Sequence, residues 1–217
     1  MPPTVLLPDT PRHFDQLQEL GLEIEWLTEV GLKALAAYNQ TTVHDALTAP
    51  GTYAFFEAVR SLRDILCPKG WEIVRQHNLE LTKHPDHNTL IIISSGTKDT
   101  GKEYGHPMTK NPKGKQTKKV VAYNAKQIRL PGMEYNFDVK EEGQATVWML
   151  LYYIDMARAE MRLELSLPIK MDIDEMRVDG WHKRIVLPSI KLDPTPILSH
   201  PEFAPELPLE LKRRTNA

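Results

Sequence analysis

The densest concentration of reactive side chains is a lysine-rich segment at residues 98–129, where nine basic residues are opposed by only Asp99 and Glu103. The segment carries a net charge of +7, so the rest of the chain carries −9, because the formal charge of the whole is −2. Like charges this close together repel, and they are typical of surfaces screened by solvent or by an anionic partner. The basic residues are Lys98, Lys102, Lys110, Lys113, Lys115, Lys118, Lys119, Lys126 and Arg129.

The chemistry of lysine favours contact with phosphate groups over the reading of bases. Residues 105–117 are rich in turn-forming types and poor in apolar anchors, which predicts a mobile loop between two strands. Ammonium groups on such a loop would contact the nucleic-acid backbone as point charges, whereas base reading favours the arginine fork. Tyr104 and Tyr123 would be placed to stack on bases. The leading hypothesis is therefore a non-enzymatic binding protein for an anionic partner, with nucleic acid favoured.

Two other interpretations of the basic segment stay open. Lysine runs commonly form a solvated surface that has no partner. Alternatively, the segment binds the acidic surface of another protein, which would make this chain an inhibitor or an adaptor. The proline-rich residues 191–217 could serve the same purpose, because a chain that is already extended loses little entropy on docking.

A phosphate-binding loop is suggested at residues 96–102, where Gly96, Gly101 and Lys102 have the required spacing after an apolar run. The next residue should be a serine or threonine that ligates Mg²⁺, and a helix should follow. Glu103 stands there instead, and Tyr104 to Pro107 are poor helix formers. The sequence therefore argues against a nucleotide site of this type.

A divalent-metal-dependent nuclease is the enzymatic alternative. Pro85-Asp86 and, further along, Asp138-Val139-Lys140 are similar to the paired carboxylates and lysine of such enzymes. Asp86 and Asp138 would hold Mg²⁺ or Mn²⁺, Lys140 would steady the attacking water, and Glu57 could complete the site. The two halves lie far apart in sequence, so we favour binding without catalysis.

Histidines cluster around the same proline. His84 and His87, with His77 and His106 on either side, are residue types that bind zinc. Pro85 prevents the helix that would align the pair, and a polar turn between strands explains the same residues. No metal site is predicted from this cluster.

Composition limits the class of protein. Of 217 residues, 41% are hydrophobic and 26% charged, which is ordinary for a folded globular chain. Cys67 is the only cysteine, so no intrachain disulfide is expected and a reducing compartment is favoured. No apolar run of membrane-spanning length and no signal-peptide pattern is present. We therefore expect a soluble, cytoplasmic protein without a membrane partner.

The apolar spacing changes along the chain from a helical period to an alternating one. We predict one or two helices in residues 13–40, broken near Gly21 or Gly31, and another from Thr52 until Pro68. Strands are predicted at residues 71–77, 89–94, 119–123, 146–154, 162–167 and 184–187. The last three are expected to form an antiparallel meander with one polar face.

These elements predict an α+β fold in which N-terminal helices pack against a largely antiparallel β-sheet. A helical part at residues 1–70 and a sheet part at residues 71–190, which contains the basic loop, are expected to form one continuous domain. Residues 191–217 contain five prolines and predict an extended tail.

Overall fold

The computed structural model describes residues 2–8, 10–76, 78–129 and 145–191. In that part of the chain, four α-helices accompany a mixed sheet of eight strands, which confirms the predicted α+β class. The helices are α1 (Pro11–Glu19), α2 (Ile24–Asn39), α3 (Ala49–Leu66) and α4 (Lys115–Arg129). The strands are β1 (Thr4–Leu6), β2 (Glu72–Gln76), β3 (Leu79–Lys83), β4 (Thr89–Ser95), β5 (Thr146–Asp155), β6 (Glu160–Met171), β7 (Val178–Val186) and β8 (Ile190–Lys191).

The strands lie in the order β1-β7-β6-β5-β4-β3-β2, and β8 pairs with β6. Two antiparallel meanders, β2-β3-β4 and β5-β6-β7, make up most of the sheet. They are joined by the parallel pair β4 and β5, and β1 adds a second parallel pair beside β7. Parallel neighbours need a long crossover, and the chain between β4 and β5 includes α4.

Helices cover both faces of the sheet, which explains the long apolar run of β5. Trp148, Leu150 and Tyr152 belong to the large core that α1, α2 and α3 share with the sheet. Met149 and Leu151 point to the opposite face, where they pack with Val121 of α4. A strand buried on both sides needs no polar alternation, so β5 has none in its centre.

The N-terminal helices approach the sheet closely at Gly31. This residue lies within α2, and a Cβ atom there would come within 2.8 Å of Ile190 and 2.9 Å of Leu163. The missing side chain lets α2 lie against β6 and β8. The break between the first two helices falls instead at Gly21, one of the two positions that the sequence suggested.

The prediction of a strand at residues 119–123 was wrong, because these residues lie within α4. The two β-branched residues Val120 and Val121 favoured a strand locally. Over a longer window, the buried positions Thr117, Val120, Val121 and Asn124 recur at helical spacing, and positions 118, 119 and 122 between them are exposed. Burial of that stripe against the sheet outweighs the modest β-propensity of two valines.

The predicted polar face of the last meander is also corrected. Arg162, Glu164 and Ser166 do share one face of β6, as strict alternation requires. That face is buried, however, and the relative exposures are 5% for Arg162 and 0% for Glu164 and Ser166. The segment between β4 and α4 lies over it and supplies the hydrogen-bond partners that solvent would otherwise provide.

Residues 192–217, which hold nearly all of the predicted tail, lie outside the described residues. Among the helices that the structure describes, none is long and apolar enough to cross a membrane.

Candidate nucleic-acid interface

The segment that leads into α4 is fixed by a buried ion pair between neighbouring strands. Arg184 of β7 and Glu164 of β6 lie 2.6 Å apart, with side-chain exposures of 1% and 0%. The Arg184 guanidinium also donates to the carbonyls of Lys102 and Gly105, each at 2.9 Å. Arg162 donates to the carbonyl of Lys98 at 3.0 Å. Buried cations thus hold the backbone of the lysine-rich segment at three points.

Further along, the same segment is tied to β7 and to the turn before it. Thr109 is fully buried, and its backbone amide donates to Val178 at 3.0 Å while its hydroxyl accepts from the Val178 amide at 3.1 Å. Trp181 donates from its indole to the carbonyl of Pro107 at 2.8 Å, and the Lys113 amide donates to Met176 at 2.6 Å. The predicted loop between two strands is therefore corrected: residues 105–114 lead from β4 into α4, and hydrogen bonds anchor them. The anchors are polar contacts to distant strands, which local hydrophobicity does not indicate.

The phosphate-loop hypothesis for residues 96–102 is disfavoured by the same network. The Gly101 amide donates to the Glu164 carboxylate at 2.8 Å, so an anion already occupies this donor. Gly101 has φ +71°, and a Cβ there would come within 2.8 Å of the Cβ of Arg162. The glycine thus allows close packing on β6, and the next described α-helix begins only at Lys115.

Helix α4 places four of the nine predicted basic residues on one exposed face. At about 100° per residue, positions 115, 118, 119, 122 and 126 fall within an arc of roughly 100°. All five residues are exposed, and the helix has no acidic residue. We call Lys115, Lys118, Lys119 and Lys126 the lysine face.

The opposite side of α4 is anchored through Asn124, which is fully buried. Its side-chain amide donates to the carbonyls of Val147 at 2.9 Å and Pro168 at 3.0 Å, and its side-chain oxygen accepts from the Val147 amide at 3.1 Å. Three hydrogen bonds to two strands fix the rotation of the helix about its axis. The lysine face is therefore held pointing away from the sheet.

The other predicted basic residues are distributed differently. Lys98 and Lys110 are exposed, Lys102 lies 3.4 Å from Asp99, and Lys113 is half-buried at the edge of a pocket. Burial lowers the pKa of Lys113. Arg129 ends α4. The lysine-rich segment thus consists of two parts in the structure, an anchored loop and a helix with an exposed lysine face.

The described residues do not test the nuclease hypothesis, because two of its three residues lie outside them. Asp86 is exposed in the turn between β3 and β4, while Asp138 and Lys140 lie outside the described residues. Glu57 of α3 pairs with Arg60 and accepts from the Ser61 hydroxyl. Within the described ranges, no group of three or more histidine, cysteine or acidic side chains is arranged to hold a metal ion.

The turn interpretation of the histidine cluster agrees with the geometry of His84. Its Nδ1 accepts from the amides of Asp86 at 3.0 Å and His87 at 2.9 Å, which closes the turn between β3 and β4. The ring packs edge-on against Trp71, with the ring centres 4.7 Å apart. Burial and, secondarily, the neighbouring His87 lower the pKa of His84. A neutral ring is needed for Nδ1 to accept, so this nitrogen is not available to a metal.

One feature that the sequence did not reveal is a pocket at the carboxyl ends of β4 and β5. It has a volume of about 650 Å³, and the first turn of α3 and residues 110–113 form parts of its wall. The available sequence signal was Ser94-Ser95-Gly96, three small residues at the end of an apolar strand. The wrong prediction of a strand at residues 119–123 gave no reason to expect that β4 pairs in parallel with β5, and this pairing creates the edge where the pocket lies.

Comparison of the chain with protein-family models, with curated proteins and with solved structures found no significant match. The functional interpretation therefore rests on the geometry of the chain itself.

Proposed function

We propose that this protein binds the phosphate backbone of nucleic acid through the lysine face of α4, as a binding protein without catalytic activity. The observation that carries the proposal is the alignment of four exposed lysines on one helix that has no acidic residue. Such a face attracts a polyanion and releases its condensed counterions on contact.

The position of the lysines within the helix strengthens the proposal. Lys115, Lys118 and Lys119 occupy the first turns of α4, and the first turn has no acidic residue. The amino end of a helix carries a partial positive charge, so lysines there are locally unfavourable and acidic residues are preferred. An arrangement that costs helix stability but concentrates positive potential is typical of a surface that binds anions.

The dimensions of the lysine face suit a nucleic-acid strand. Lys126 lies eleven positions after Lys115, and at 1.5 Å per residue the stripe is about 16 Å long. One strand of a duplex carries a phosphate every ~3.4 Å along the axis, so about five phosphates lie within this length. Lysines contact them as point charges, so we expect binding with little sequence preference.

The direct test is to measure affinity for mixed-sequence DNA and RNA by fluorescence anisotropy at several salt concentrations. Four phosphate contacts predict a slope of about −3.6 in log K against log salt on duplex DNA, which is a loss of roughly 100-fold between 50 and 200 mM. The variant Lys115→Gln/Lys118→Gln/Lys119→Gln should bind roughly 100-fold more weakly near 100 mM salt and show a shallower slope.

A matched control variant also removes three positive charges, but from the helices on the other face of the sheet. Lys33, Arg60 and Lys69 are exposed on or beside α2 and α3, on the opposite side of the sheet from α4. The variant Lys33→Gln/Arg60→Gln/Lys69→Gln should keep the wild-type salt slope. Equal losses in the two triple variants would show an effect of net charge alone, and unchanged affinity in the α4 variant would refute the proposal.

Two further measurements separate the alternatives. Incubation of DNA with the protein and Mg²⁺ or Mn²⁺ should leave the DNA intact. Cleavage that is lost on replacing Asp86, Asp138 or Lys140 would favour the nuclease hypothesis instead. A protein partner that stays bound to the lysine face after nuclease treatment, together with no affinity for DNA or RNA, would favour the adaptor or inhibitor hypothesis.

A further inference from the structure

The pocket at the carboxyl edge of the sheet is separate from the lysine face and has its own chemistry. It lies where the parallel strands β4 and β5 end, beside the first turn of α3. In open α/β sheets, ligands bind outside the carboxyl ends of parallel strands, because the loops that follow neighbouring strands diverge there and form a crevice. Its volume of about 650 Å³ is within the range of small-molecule sites.

The charged residues of the pocket wall are all positive. The wall includes Lys110 and Lys113 and no acidic residue. The Lys110 amide donates to Ser95 at 2.9 Å and the Lys113 amide to Met176 at 2.6 Å, so the backbone places both lysines. Neither ammonium forms an ion pair with a described residue. Two cations without a counter-charge are suited to an anion.

Neutral donors face the same space. Tyr152 is only 5% exposed, lines the pocket, and has a hydroxyl that makes no hydrogen bond to the described residues. Burial raises the pKa of Tyr152, so the hydroxyl keeps its proton and can donate. Gly51 in the first turn of α3 also lines the pocket, and its amide has no acceptor in the described part of the chain. The Tyr152 hydroxyl is therefore free to donate to an acceptor oxygen of a ligand.

The rest of the wall suits the organic part of a ligand. Phe55 of α3 and Tyr38 of α2 are half-buried and line the pocket. Aromatic side chains offer a large flat apolar surface on which a ring can pack. The pocket therefore combines a cationic part with an aromatic part.

We propose that this pocket binds a phosphomonoester of mononucleotide size, with its phosphate near Lys110, Lys113 and Tyr152 and its ring near Tyr38 and Phe55. A phosphate offers several acceptor oxygens, which matches the two ammonium groups and the hydroxyl. The volume exceeds what inorganic phosphate alone would fill.

The test uses the full chain and isothermal titration with the four ribonucleoside 5′-monophosphates, the corresponding nucleosides and inorganic phosphate. At least one monophosphate should bind at least about tenfold more tightly than its nucleoside and than inorganic phosphate. Equal affinity for nucleoside and monophosphate, equal affinity for inorganic phosphate and every monophosphate, or no binding of any monophosphate would overturn the proposal.

Paired variants locate the site and keep this proposal distinct from the proposal for α4. Lys113→Met keeps an unbranched side chain but removes the charge, and Tyr152→Phe removes only the hydroxyl. Each should weaken monophosphate binding, the first by about tenfold or more. The control Lys115→Met changes a lysine only two residues away, on α4, and should leave monophosphate affinity unchanged while it weakens DNA binding. Unchanged monophosphate affinity in folded Lys113→Met and Tyr152→Phe variants would refute the assignment.

Discussion

Asn124 of α4 donates to the Val147 carbonyl the hydrogen bond that Pro168 of β6 cannot donate. The β5–β6 ladder ends at Met149 opposite Ser166, and the same register continued by two residues would place Val147 opposite Pro168. Proline has no amide proton, so it cannot donate to the carbonyl of Val147. The Asn124 side chain donates to both carbonyls and accepts from the Val147 amide. One side chain thus joins the sheet to the helix that carries the lysine face.

The first prediction concerns this junction. Replacement Asn124→Leu should lower the free energy of unfolding by about 1–3 kcal/mol, because it leaves buried carbonyl and amide groups of β5 and β6 without partners. Urea denaturation measures the change. Ala122→Leu lies on the exposed side of the same helix and should change the free energy by less than ~0.5 kcal/mol. An Asn124→Leu variant as stable as wild type would show that the three hydrogen bonds contribute nothing.

The second prediction concerns the buried pair Glu164 and Arg184. Arg184→Met should destabilise the protein by about 3–5 kcal/mol, since it leaves the Glu164 carboxylate buried without its counter-charge. The double variant Arg184→Met/Glu164→Gln removes both charges and should lose less than the single variant. A double-mutant cycle in urea measures the coupling. Additive effects of the two substitutions would contradict a stabilising interaction between them.

The third prediction concerns pH. The pKa of His84 is lowered in the folded protein, chiefly by burial and next by His87, whereas Asp86 opposes the shift. The unfolded chain therefore binds the His84 proton more readily than the folded chain does. The contribution of this residue to the free energy of unfolding is complete above the unfolded pKa of about 6.5 and is lost as the pH falls below it.

The variant His84→Asn isolates that contribution. An asparagine side-chain oxygen can accept from the same two turn amides without titrating. Between pH 7.5 and 5.5, wild type should therefore lose more stability than His84→Asn. His44→Asn, at an exposed position in the α2–α3 connection, serves as the control and should follow wild type. Parallel stability profiles for wild type and His84→Asn would contradict the role given to Nδ1.

The fourth prediction resolves the lysine face residue by residue. Single replacements Lys115→Gln, Lys118→Gln and Lys119→Gln should each reduce the salt slope of duplex DNA binding by about 0.9, because each removes one phosphate contact. Lys33→Gln on α2 should leave the slope unchanged. If the salt slope falls in only one of the three α4 variants, the DNA backbone contacts the lysine face at a single point and does not run along it.

The local sequence was sufficient to predict the elements whose apolar pattern matches the faces that the fold buries. The apolar, β-branched and aromatic run at residues 146–154 predicted β5, and the spacing of Phe55, Val59, Leu62 and Leu66 predicted α3. Charge counting alone located the basic segment at residues 98–129. These features depend on side-chain type and period, which neighbouring residues determine.

Tertiary contacts decided the features that the local pattern left open or predicted wrongly. Val120 and Val121 favour a strand by propensity, but burial against β4 and β5 places them in a helix and so turns four lysines to one side. The polar alternation of β6 predicted a solvated face, yet Arg184 and the segment after β4 cover it. The pocket at residues 94–96 and 152–154 exists only because β4 and β5 pair in parallel. Contacts between residues about 20 or more positions apart create each of these features, and local propensity contains no information about them.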